Sequence, residues 1–223
     1  MTEDEWLTAT DRAAMFAFLR DWVSDRKLRL YMCGGCRAIW ELLIRPESRN
    51  AVNVAERFAD QEATVAEIGI AAHFAEADTL RDPWEGFSES AAWLAHYTAR
   101  EKLFWRPPED GEEGWYRDPH GFSRGTSYRI SNMSEIPWPG RWLFEEIFGN
   151  PFRPIVFAPE WRSDTALSLA RHIYDTRDFS TMPILADALQ DADCDNADIL
   201  NHCRDPQQVH VRGCWVVDLV LGK

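Results

Sequence analysis

No stretch of this sequence is apolar for long enough to cross a bilayer; even Trp215-Val216-Val217 is cut by Asp218. The opening residues, Met1-Thr2-Glu3-Asp4-Glu5-Trp6, lack the basic and apolar regions of a secretory leader. Positive charge is scarce. There are 24 Lys and Arg against 37 Asp and Glu, a net charge of −13, and no basic run exceeds Arg26-Lys27. Affinity for phosphates comes from clustered cations, so the balance argues against nucleic acid and against anionic membranes as partners. Cysteine is sparse as well: five residues, an odd number, with no dense framework for disulfides. These absences together predict a cytoplasmic protein, in which the acceptor match Asn132-Met133-Ser134 is accidental. Also missing are a phosphate-cradling glycine loop, an H-E-x-x-H motif and any repeat of fixed period.

Helical periodicity is abundant. Met15, Phe18, Leu19, Trp22 and Val23 recur at three- and four-residue steps, with Thr10 or Asp11 ahead of them as a cap. A second stripe holds Leu28, Tyr31, Met32, Cys36, Ile39, Leu42 and Leu43 on one face without a break. Pro46 opens a third helix, with Val52, Ala55, Phe58 and Ala59 inward. Thr64-Val65-Ala66-Glu67 has the spacing of a capping box and starts a fourth. A fifth is predicted from Ser88 or Ser90 through Trp93, Tyr97 and Phe104. Residues 106–140 are dense in Pro, Gly, charge and aromatics with no period, and read as a long loop or insertion.

Helix returns with Trp142–Phe148, stopped at Gly149-Asn150-Pro151. Pro151 to Trp161 reads as an extended strap pinned by Phe152, Ile155, Val156 and Phe157. Four more helices follow: one from Asp164, then Pro183–Gln190, Asn196–Cys203 (capped by Asp195) and Gly213–Leu221. The expectation is an all-α, predominantly helical chain, residues 1–223 forming a single compact domain that carries the 106–140 loop.

Few residues carry recognisable chemistry. Cys33-Gly34-Gly35-Cys36 has the C-x-x-C spacing of redox motifs, but the helical stripe runs through it and no strands flank it. On a helix, two thiols one turn apart can share a metal, and zinc then needs two more ligands. The C-terminal candidates are Cys203 and His210, with His202 and Cys214 as alternates. Opposed to this is plain packing, since cysteine is small and apolar in character; packing is the reading adopted, with zinc the alternative. Gly121-Phe122-Ser123-Arg124-Gly125 matches a nucleophile elbow without the strand and helix that motif requires. Asp191, Asp193, Asp195 and Asp198 start like a calcium loop, yet Asn196 and His202 stand where the turn glycine and bidentate glutamate belong. Neither His73 nor His96 has a Glu three residues before it, as carboxylate–histidine metal bundles do.

Five stretches also carry a likeness. Met1–Leu7, Ser24–Leu30, Gly149–Pro154, Leu185–Leu189 and His210–Asp218 resemble a large group of uncharacterised bacterial paralogues. The likeness spans roughly the first 60 and last 80 residues. It implies a double-cysteine helix around Cys33 and tolerance of an apolar residue at Cys203. It implies no reaction, no cofactor and no catalytic residue.

The sequence is thus read as a noncatalytic interaction or regulatory module with a protein partner. Its contact residues are Trp115, Tyr116, Phe122 and Trp138, aromatic side chains outside any periodic stripe. The alternative is a zinc-binding protein or enzyme organised by Cys33, Cys36 and the C-terminal Cys and His residues.

Overall fold

Ten α-helices and no strand occur among the described residues, so the chain is all-α. The computed structural model describes residues 1–19, 22–81, 92, 95, 96, 98, 99 and 139–223. Outside these lie the contact residues Trp115, Tyr116, Phe122 and Trp138, the elbow-like Gly121–Gly125, all of the 106–140 loop except its last two residues, and most of the helix expected from Ser88. The chain divides into two compact units, Met1 with Glu3–Gly140 and Thr2 with Arg141–Lys223.

The first unit contains α1 (Glu3–Thr8), α2 (Arg12–Leu19), α3 (Asp25–Ala38), α4 (Pro46–Ala59) and α5 (Val65–Arg81). Ser24 caps α3, its hydroxyl accepting from Lys27 N–H at 3.3 Å. Leu30, Tyr31, Cys33 and Cys36 are buried along it. The expected stripe runs to Leu43, but the α-helix ends at Ala38 and a 3₁₀ turn, Trp40–Leu42, continues the path with Ile39 and Leu43 still buried. Trp22 departs from expectation: it stands in a turn, its N–H donating to Leu19 O at 2.8 Å, and the indole is 74% exposed rather than on the inner stripe. Arg37 grips buried Glu56 bidentately, at 2.9 and 2.7 Å, tying α3 to α4. The capping box at α5 forms as expected. Glu67 N–H donates to Thr64 Oγ1 at 3.2 Å while Thr64 N–H donates to Glu67 Oε2 at 2.8 Å. Ala51, Val54, Ile68, Ala71, Ala72 and Ala75 fill the contact between α4 and α5.

The second unit contains α6 (Arg141–Phe148), α7 (Asp164–Thr176), α8 (Met182–Asp191), α9 (Ala197–Arg204) and α10 (Trp215–Leu221). Its core is built from Ala166, Ala170, Ile173, Leu185, Leu189, Ile199, Val216, Val217 and Val220. Asn196, not Asp195, caps α9, its side-chain oxygen accepting from Ile199 N–H at 3.1 Å. The strap between α6 and α7 presses Ile155, Phe157 and Trp161 onto the core, whereas Val156 faces outward at 90% exposure. Alternation explains that difference, because successive side chains of an extended segment point to opposite sides. Arg162 closes α10, donating to the carbonyls of Leu219 and Val220 at 2.9 and 2.8 Å. No described helix is long and apolar enough to cross a membrane.

Candidate metal centre

In α6 the buried positions are Leu143, Phe144, Glu146 and Ile147. Glu146 stands three residues after Leu143, so the helical period carries a carboxylate onto the apolar face. Its side chain has no exposed surface. Such a charge needs partners, and the segment from α9 to α10 supplies them. Val211 N–H donates to Oε1 at 3.0 Å and Gln208 Nε2 to Oε2 at 3.2 Å. His210 Nδ1 and His202 Nε2 lie 3.1 and 3.2 Å from Oε2. Burial by itself raises the Glu146 pKa. The hydrogen bonds of His202 and His210 lead the contributions that outweigh it and bring the group down to about 2.

Each partner has a local reason for its place. His202 sits in the last turn of α9. The chain turns back through Asp205–Gly213, and Gly213, at a φ of 97°, adopts a backbone that side-chain-bearing residues rarely take. That turn, with Cys214 N–H donating to Val211 O at 3.0 Å, brings Cys214 to the start of α10. Cys214 Sγ lies 3.2 Å from His202 Nε2. Burial pushes its thiol well above the ordinary value, and Glu146 and Cys203 push it further. The N–H groups of Val217 and Val216 pull the other way.

Glu146, His202, His210 and Cys214 thus offer one ligand atom each, all within 4.8 Å of one another. A tetrahedral ion with bonds of about 2.0–2.3 Å holds its ligand atoms about 3.3–3.8 Å apart. The closest pairs here, at 3.1 and 3.2 Å, need only a slight expansion to accept one.

Of the residues singled out in the sequence, His202, His210 and Cys214 come together. Cys203 is on α9 but belongs to the apolar core, and burial pushes its thiol up to about 12. Cys33 and Cys36 lie on α3 in the first unit. There Cys36 Sγ is 3.6 Å from Thr98 Oγ1, and burial holds both thiols far above their ordinary range. Glu146 is the member of the cluster that sequence reading missed. Its signal is the polar residue on the Leu143–Ile147 face of an otherwise amphipathic helix.

Fold and cluster together define an all-α protein whose second unit carries a buried His₂–Cys–Glu constellation. No protein-family model, no curated protein and no solved structure matches the chain.

Proposed function

We propose that the chain is a noncatalytic zinc-binding protein in which Glu146, His202, His210 and Cys214 hold one ion that clasps α6, α9 and α10 together. The convergence of four ligating side chains from separate chain positions carries this reading. Thiolate and imidazole suit a borderline-soft metal, whereas calcium and magnesium want oxygen alone. Charge selects within the soft metals. A carboxylate and a thiolate balance a divalent ion beside two neutral imidazoles, leaving the buried site neutral; a cuprous ion would leave a net negative charge. Four protein ligands, two without exposed surface and two histidines at 10% and 6%, make a closed structural site with no place for substrate. The reading as a protein-interaction module has its residues outside the described ones, and the described geometry favours the metal.

Metal analysis of the purified full-length chain, supplied with zinc and desalted, tests this. One zinc per chain is expected, lost in Cys214→Ser and in His202→Gln. It should be kept in the Cys33→Ala/Cys36→Ala double variant and in Cys203→Ala. Only trace zinc in the wild type would leave Glu146 as a hydrogen-bonded anchor and end the proposal.

A further inference from the structure

Trp215, the first residue of α10, touches the back of this cluster. Its ring centroid is 5.1 Å from that of His202, and its indole Nε1 lies 3.3 Å from His202 Nδ1. The indole is seated on Gly149, where a Cβ would come within 3.3 Å of ring atom Cδ2 and where φ is +67°. The helix that supplies Glu146 is therefore followed directly by the residue that makes room for Trp215.

An indole N–H only donates. It bonds to His202 Nδ1 only while that nitrogen keeps its lone pair, and a neutral imidazole then has its proton on Nε2. Nε2 is the atom that faces Glu146 Oε2 and Cys214 Sγ, each at 3.2 Å. An ion at their focus takes the Nε2 lone pair. The ring proton then belongs on Nδ1, and two N–H groups point at each other across 3.3 Å.

Building on the zinc reading, we infer that Trp215 is a positioning residue that opposes metal capture: it holds His202 in the tautomer that bonds to Glu146, and the ion enters only as the indole–imidazole hydrogen bond breaks. His202 neither gains nor loses a proton in this exchange; its proton moves from Nε2 to Nδ1, and the Cys214 thiol proton goes to solvent. The sign of the effect sets it apart from an ordinary supporting contact. Partners that accept the N–H of a metal-bound histidine strengthen binding, and losing one weakens it about 10–100-fold. Losing a donor that competes with the metal does the reverse. A phenyl ring keeps the seat on Gly149 and removes the N–H, so Trp215→Phe should bind zinc about three- to tenfold more tightly.

The experiment is zinc titration of the full-length wild type and Trp215→Phe against a chromophoric chelator, with nitrogen NMR of wild-type protein labelled with ¹⁵N-histidine. Tighter binding by the variant is expected. His202 Nδ1 should lack a proton without zinc and carry one with it. Equal or weaker binding by a folded variant, or an Nδ1 protonated in both states, overturns the inference while the zinc site stands. Failure of the wild type to bind zinc overturns both. The nitrogen spectra decide the question even where Trp215→Phe does not fold.

Discussion

Glu146 is the residue on which the second unit turns. Its folded pKa of about 2 lies below the ordinary carboxyl value of 4.5, so it contributes stability that is present above that value and is lost as pH falls toward 2. The difference corresponds to something on the order of 3 kcal/mol. In metal-free protein, Glu146→Gln should therefore be destabilised relative to wild type at pH 6, with the gap closing between about pH 5 and 2. Urea unfolding at several pH values measures it; a gap that stays constant would show that the carboxylate charge is not what matters. At this scale the sequence was partly legible. His202, His210 and Cys214 stood out as donors close together in the chain. Glu146 did not, because one of two adjacent glutamates in Trp142–Phe148 looks like an ordinary solvated residue until its place beside Leu143 and Ile147 is considered.

Elements depend on their ends, and α5 has the most explicit one. Thr64→Ala removes the oxygen that accepts from Glu67 N–H and the hydroxyl that donates to Glu67 Oε2 at 2.9 Å. The expected loss is about 1 kcal/mol, with Thr64→Ser close to wild type, read by chemical denaturation of the full chain. Such boundaries are legible because the chemistry is local: a Thr and a Glu three residues apart suffice. The neighbouring cases show where legibility stops. Asp195 and Asn196 are both good caps, and only the path of the chain selects Asn196. Trp22 fits the stripe of α2 by spacing, yet it stands in a turn with its indole exposed, and periodicity identifies a face only where the residue is helical.

On the scale of the whole molecule, charge and metal act differently. The net charge of −13 repels phosphates, so no salt-sensitive shift of DNA or RNA is expected at physiological ionic strength and low-micromolar protein. Zinc stabilises only the form that binds it. If the proposed site binds zinc, a free concentration one hundred times its Kd should raise the unfolding free energy by about 2.7 kcal/mol, an effect absent in Cys214→Ser. Calorimetry with and without chelator measures both. The all-helical class was legible throughout, because stripes of period 3.6 recur along the described chain. The assembly of the cluster was not, since it depends on helices far apart in sequence meeting around one carboxylate.

That carboxylate accepts hydrogen bonds from the backbone of Val211 and from the side chain of Gln208, and it faces His202 and His210. Opening any one of these segments uncovers the same buried charge, so each opening carries nearly the whole cost of exposing it. In amide hydrogen exchange, the residues of α6 around Glu146, the last turn of α9 and the start of α10 should therefore share a single protection factor rather than a graded series. Glu146→Gln should separate them into individual rates.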